Sequence, residues 1–394
     1  MDMPYTCIQP EYVKEFHCDG SLCQAKCCRG WQIEVDDYTY SKYQNLQDLQ
    51  LRQNVLNKLK KYPATGKYRF QMDGINCPML QADWLCCLQK NCGEEYLSDT
   101  CHQFPRRVHR ILPDTVERVL SLACPVAARL ALSNFTPLTF EVVEIPRERE
   151  NSFFILPYKI SDKVPYLISV QMAGISILQA RQYSLDQRLQ LLGIYLQEEE
   201  ENDKKEPKPL NLLHLESNMK NVHADDKFWI RFLLELLDDL YGTAIVLADD
   251  EDIDYVPYIV KAFHLEGTGS KSLITLASLY SQGKEAVHKY ICQPYDYMLE
   301  NYLVQEFFGN LYPYKWEASI SENHVVFVTV YRFMELILMS ILLCGEEIDE
   351  DTIVALAGRM AQRTNHAGLY GQLILRKIHR DGGRKVVNKI LETK

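Results

Sequence analysis

The sequence predicts a mainly α protein in two parts. A small α+β, cysteine-rich, metal-binding domain at residues 1–135 precedes an irregular helical domain at 136–394. Three observations predict this. Eleven of the 13 cysteines lie within the first 124 residues. Short segments of alternating polarity occur in that part. Beyond about residue 165, apolar residues recur at helical spacing almost to the C-terminus.

In the first part, Trp31 to Val35 and Tyr68 to Met72 alternate as strands do. Between them, Asp36 or Asp37 is placed to cap a helix reaching about Lys61, with Leu46, Leu49, Val55, Leu56 and Leu59 on its apolar face. Pro63 and Gly66 then end it. Residues 136–165, with Pro137, Pro146 and Pro157, read as a connector. Helices follow at Tyr166–Gln182, Leu185–Gln197, Phe228–Tyr241, Ser270–Ser281, Glu285–Phe308, Asn323–Cys344 and Glu350–Arg363. The last runs from His366 to Ile378, with an extension toward Leu391. Asp225 and Asp226 are capping candidates for the helix at Phe228. The charged run at 198–209 reads as a solvated loop, and no repeat of solenoid period is present.

Composition narrows the function. Hydrophobic residues make up 47% of the 394, enough for a sizeable core. The net charge is −10, and no basic stripe with interleaved aromatics is present, which argues against a nucleic-acid partner. The first residues lack the basic start and apolar run of a signal peptide. The most apolar stretch, Phe327–Cys344, contains Arg332 and Glu335, which are costly at a bilayer centre, so a buried core helix is expected there rather than a membrane span. Together these features place the chain in the cytoplasm.

Reducing compartments disfavour disulfides, so cysteines gathered there more often bind metal or do chemistry. The first group is Cys18, Cys23, Cys27 and Cys28, followed by Arg29, Gly30 and Trp31. The second is Cys77, Cys86 and Cys87, then Cys101 followed by His102. Cys124 closes the set within Ser121, Leu122, Ala123, Cys124 and Pro125. Thiolates are soft ligands suited to iron–sulfur clusters or zinc. Zinc sites usually show paired cysteines at short, regular spacing. Here the spacing is irregular, adjacent cysteines occur twice and more than four sulfurs are present. The pattern therefore leans to iron–sulfur while leaving zinc open. Prolines after Cys77 and Cys124 stiffen the turns, and Arg29, Arg106 and Arg107 are near enough in sequence to offset thiolate charge. His102 reads as a neighbour of the site, and Cys292 and Cys344 as core thiols. The C-x3-C-x2-C spacing of radical S-adenosylmethionine enzymes is broken, because position 30 is glycine.

These residues resemble the flagellin lysine-N-methylase family. The likeness is carried by Glu11, Tyr12, Val13, Phe16, His17 and Cys18, by Cys23 to Trp31, and by Cys77, Pro78, Leu85 and Cys86. Gly93 to Leu97, Thr100, Cys101, Phe104, Pro105, Arg106 and Ser121 to Pro125 continue it. In the second half, Leu299 to Leu303 and Glu306 to Phe308 are similar to a stretch of the same family. The likeness spans nearly the whole chain and is most specific in the first 130 residues. It implies S-adenosyl-L-methionine-dependent methylation of lysines of flagellin, with a [4Fe–4S] cluster required. Family positions fall on Cys18, Cys23, Cys27, Cys28, Cys77, Cys86, Cys101 and Cys124, twice the number one cluster needs. Cys7, Cys87 and Cys92 are extra. Part of the cysteine pattern also resembles a broader zinc- or iron-chelating family, which implies the alternative of a non-catalytic binding or sensing protein.

The helical part offers no donor-binding signature. His264 to Gly269, with two glycines after the apolar run Tyr258–Phe263, reads as an interhelix turn. Glu300 and Tyr302 read as helix residues of the core or surface, and Arg332 with Glu335 as a structural ion pair. No general base is identifiable.

Overall fold

The computed structural model describes residues 4–18, 26–30, 32–63, 65–146, 154–155, 164–202, 206–219, 225–242, 255–266, 271–366 and 369–391. Cys23, Trp31 and the glycines of the His264–Gly269 turn lie outside them. The protein is mainly α, with the described strands of its small sheets all within the first 155 residues. One compact unit gathers Met1–Leu130 and Phe140–Ile155, and a second is built from Ala131–Thr139 and most of the chain after Leu156.

The first unit opens with β1 (Tyr5–Pro10) and, after a short 3-10 turn at Glu11–Glu15, reaches β2 (Glu34–Val35). Two helices follow, α1 (Asp37–Gln44) and α2 (Leu49–Asn57). The single helix expected up to Lys61 is broken here. Asp48 accepts the N–H groups of Gln50 and Leu51, and this side-chain cap starts a new helix. The chain then turns into β3 (Leu59–Lys61) and β4 (Tyr68–Phe70), and β4 pairs antiparallel with both β2 and β3. Two short helices, α3 (Cys87–Cys92) and α4 (Asp99–Gln103), lead into the hairpin β5 (Arg106–Leu112) and β6 (Thr115–Leu120). Helix α5 (Pro125–Leu132) follows Cys124.

The expected connector contains β7 (Phe140–Ile145) and β8 (Phe154–Ile155). Both return to the first unit, giving a five-stranded sheet in the order β7-β1-β6-β5-β8. β1 runs parallel to β6 and antiparallel to β7. Tyr5, Cys7 and Val116 form its fully buried centre. Cys7 is therefore a strand residue of the sheet core, with its thiol pushed up to about 11, chiefly by burial.

The second unit begins with α6 (Val164–Leu178) and α7 (Leu185–Glu200), the latter started by a capping box of Ser184 and Gln187. α7 extends three residues into the run expected as a loop. Glu199 is buried there, because it accepts the Tyr166 hydroxyl at 2.7 Å and the Lys208 N–H at 2.9 Å. Next come α8 (Leu212–Asn218), α9 (Asp226–Gly242), α10 (Val256–Ala262) and α11 (Leu273–Val287). Asp225 accepts the Phe228 N–H at 3.2 Å, as the expected cap of α9. The apolar run at Tyr258 is helical. A π-helical turn, His288–Cys292, leads from α11 into α12 (Gln293–Gly309). Pro294 lies at the start of α12, and Tyr295 after it leaves helical geometry, so the helical run is kinked there.

Helix α13 (Ile320–Leu343) is long and apolar enough to cross a membrane, yet its most apolar window is 94% buried inside the protein. Arg332 and Glu335 meet at 2.7 Å on it, and Asp186 reaches the same guanidinium at 2.7 Å. This is the structural pair expected from sequence, enlarged by one carboxylate. α14 (Glu350–His366), α15 (Leu369–Arg380) and α16 (Arg384–Leu391) complete the chain, the last two divided by Gly382 and Gly383.

Candidate functional site

The thiols of the first unit sit at the edge of a compact apolar core. Ile33, Val35, Leu46, Val55, Phe70, Met79, Leu88 and Leu97 form that core, with Tyr43, Cys28 and Cys77 inside it. Cys27, Cys86 and Cys101 pack against it. Burying them excludes water, but their loops must still satisfy backbone groups.

Each loop is fixed by backbone hydrogen bonds. Cys27 and Cys28 end a 3-10 turn, Lys26–Cys28. Gly30 then takes a φ of +78°, the left-handed conformation that favours glycine. Its N–H donates to Ile75 at 2.8 Å, and the Cys77 N–H donates to the Cys28 carbonyl at 2.7 Å. Arg29 donates to the Asn76 side chain at 3.2 Å. The two cysteine loops are thereby held side by side. Cys86 is the N-cap of α3, and the next amide, Cys87, donates to the Met79 carbonyl at 2.7 Å, tying this loop to the one that begins at Cys77.

Cys101 sits in α4, which Ser98 caps. Asp36 links that helix to α1. One of its oxygens accepts the Thr39 N–H at 2.8 Å, capping α1, and the other accepts the Asp99 N–H at 3.0 Å. Cys124 ends a turn closed by its own N–H on the Ser121 carbonyl at 3.1 Å. The Ser121 N–H reaches Pro105, beyond a cis Phe104–Pro105 bond, at 2.7 Å.

These turns bring seven of the eight predicted cysteines around one cavity of about 200 Å³. Cys18, Cys27, Cys28, Cys77, Cys86, Cys101 and Cys124 line it, and Cys23 lies outside the described residues. None of the described cysteines is joined in a disulfide. Among the described residues lining the cavity, Cys7, Cys87 and Cys92 do not appear. Cys27 and Cys28 approach to 3.9 Å between sulfurs. A hydrogen bond between them holds the Cys27 thiol below its ordinary range. The bond Cys28 shares with Cys77 lowers Cys77 in the same way, while its bonds to Cys27 and Cys77 push Cys28 up. Burial raises Cys86 to about 11 against the opposing amides of Gln89 and Leu88, and burial also raises Cys101. Among the described residues, no three His, Cys, Asp or Glu side chains are arranged to hold a single metal ion.

Sequence reasoning missed other residues of the cavity. Tyr43 lines it from α1, and Phe16, Phe70, Met79, Leu88 and Phe104 supply apolar wall. Arg106 lies over the Phe16 ring at 5.3 Å and lines the cavity as expected of a cation near thiolates. Arg29 and Arg107 do not line it. Arg29 is engaged with Asn76 and stacks over Trp84 instead. His102 also lines it and faces Glu94 at 3.3 Å.

In the helical unit, Glu300 is fully buried and accepts from Arg181 and Arg188. Tyr302 is buried and its hydroxyl lacks a hydrogen-bond partner among the described residues. Cys292 is a partly buried thiol raised to about 12, chiefly by burial, and Cys344 meets the Tyr258 carbonyl at 3.7 Å.

Residues 172–388 match the family model described as the FliB lysine N-methylase C-terminal domain. A flagellar biosynthetic protein FliU from Salmonella muenchen is 38% identical over 124 residues, which are 30% of this chain and 73% of that protein. Proteins named lysine-N-methylase from Salmonella typhimurium and Salmonella choleraesuis are each 34% identical over 156 residues. Those matches span 39% of this chain and 39% of each relative. No solved structure matches the chain.

Proposed function

Because the chain belongs to the FliB lysine N-methylase family, we propose that it is a cytoplasmic protein-lysine N-methyltransferase. In this reading it moves methyl groups from S-adenosyl-L-methionine to lysine side chains of flagellin, and a [4Fe–4S] cluster occupies the cysteine cavity. The observation that carries the cofactor reading is the convergence of seven thiols on one cavity from loops more than a hundred residues apart.

The residues fit such a group. Cys27, Cys77, Cys86 and Cys101 each lie within electrostatic reach of the other three. We assign them as the four ligands. Cys28 stands beside them, its sulfur 3.9 Å from that of Cys27 and hydrogen-bonded to Cys77. A single zinc ion suits the geometry less well. Zn–S bonds of about 2.3 Å need three or four ligands converging on one point, and among the described residues no three His, Cys, Asp or Glu side chains are arranged to hold a single metal ion. Sulfurs spread around a cavity suit a polynuclear core better.

When bound, the cluster would anchor or polarise the methyl donor. The chain's own residues have two tasks. The lysine amine, with an ordinary pKa of about 10.4, must lose its proton before it attacks. The apolar wall at Phe16, Phe104 and Leu97 would desolvate an ammonium brought to it, which lowers its pKa. The amine must also line up with the sulfonium methyl, since positioning supplies much of the rate. Nucleophilic transfer of this kind needs no radical.

The test is anaerobic purification followed by incubation with flagellin and S-adenosylmethionine. Near-equal iron and sulfide, with lysine mass gains of whole methyl groups, are expected. A fully loaded protein that adds no methyl defeats the enzyme reading. Colourless protein with stoichiometric zinc would favour a chelating, non-catalytic role. Stoichiometric 5′-deoxyadenosine would replace nucleophilic transfer with a radical route.

A further inference from the structure

We infer that the Tyr43 hydroxyl is a hydrogen-bond donor to a sulfur of the group held by the thiols, and so a residue that sets its reduction potential. The inference rests on the iron–sulfur reading above and adds a role for a side chain that is not a ligand.

Tyr43 is fully buried and lines the cysteine cavity. Its hydroxyl has no hydrogen-bond partner among the described residues. A buried phenol without a partner is costly, and native proteins rarely keep one unless something satisfies it. Phenylalanine would fill the same space without that cost, and Phe70 does so beside it, 6.3 Å away between ring centroids. The ionisable groups that act on Tyr43 are Cys101, Cys86 and Cys77, together with Asp36. Three of the four assigned ligands thus lie within electrostatic reach of one unused donor that lines the same cavity.

The placement is also rigid. Asp36 caps α1, the helix that carries Tyr43, and the same carboxylate accepts the Asp99 N–H at the start of α4, which carries Cys101. Donor and ligand are therefore positioned by one residue. His102 and Ser98 line the same cavity, but His102 already faces Glu94 and Ser98 already caps α4. Hydrogen bonds to cluster sulfurs withdraw charge and favour the reduced, more negative form, so losing one makes the potential more negative.

The experiment compares the full-length wild type with Tyr43→Phe, both loaded anaerobically with iron and sulfide. Equal iron content, a more negative potential by redox titration and a shifted visible or electron paramagnetic resonance spectrum are expected. The metal-free variant should melt no lower than the metal-free wild type, because the phenol then has nothing to serve. Equal loading with unchanged potential and spectrum overturns the role of Tyr43 and leaves the cluster reading standing. Wild type that binds no iron–sulfur group overturns both.

Discussion

The two units of the molecule handle buried polarity in different ways. In the helical unit the large buried charges find partners within the unit. Glu300 is met by Arg181 and Arg188, Lys377 by Glu235 and Asp381, and Arg332 by Asp186 and Glu335. In the cysteine-rich unit, thiols and the Tyr43 phenol face a shared cavity instead. The first arrangement holds a shape. The second leaves thiols facing one space, where the proposed cluster would sit. Mutations should therefore separate stability in one unit from metal binding in the other.

The sharpest break comes from a ligand. Cys77→Ser should remove bound iron and reduce methyl transfer to background, while far-ultraviolet circular dichroism stays that of a mainly helical protein. Cys87→Ser should change neither, because that thiol lies outside the cavity. Iron and sulfide analysis beside a methylation assay reads both variants, and a Cys77→Ser protein with full iron content would end the ligand assignment.

The helical unit should respond in the opposite sense. Glu300→Leu leaves Arg188 buried and without its principal carboxylate. Breaking a buried pair from one side costs about 3–5 kcal/mol. Urea unfolding should show that loss, while iron per folded molecule stays constant. A cost below about 1 kcal/mol, the range of exposed pairs, would mean that the pair does not hold α7 to α12.

Much of this division was legible in the sequence. Clustered cysteines, apolar helical periodicity and the Arg332–Glu335 pair point to two unlike halves. Missing were the strands of the five-stranded sheet. β5 and β6 alternate around a Pro113–Asp114 turn, a hairpin signal available in the sequence. β1 and β7, in contrast, join through a pairing between residues some 135 positions apart, which no local pattern reveals. The break at Asp48 was hidden because the apolar positions continue across it, although an aspartate before Leu49 is an ordinary capping signal. Among site residues, thiols announce their chemistry by type. Tyr43 does not. A tyrosine on a helix face reads as core until the fold shows which groups surround its hydroxyl.

Acid should expose a further difference. Burial in the helical unit pushes His324 down to about 4, below its usual 6.5. The folded state then binds its proton later than the unfolded chain, so stability present above about pH 6.5 is lost as pH falls toward 4. The slope is about 1.4 kcal/mol per pH unit, roughly 3 kcal/mol across the whole window. His324→Leu should flatten the difference between unfolding curves at pH 7 and pH 4.5. An unchanged slope would mean that other groups govern the acid response.

The smallest expected effect discriminates most finely, because it compares two aspartates with the same local job. Asp48 caps α2 and Asp36 caps α1. Replacing either by alanine removes a side-chain cap, which costs about 1 kcal/mol. Only Asp36 also accepts the Asp99 N–H of the Cys101 helix. Asp48→Ala should therefore lower stability slightly and leave iron retention unchanged. Asp36→Ala should show a comparable or somewhat larger loss and should also release iron faster to a chelator, because Cys101 and Tyr43 lose their common anchor. Stopped-flow chelation beside urea unfolding separates the two readouts. Equal release rates in the two variants would mean that the carboxylate serves the helix alone, and the link from cap to ligand would fail.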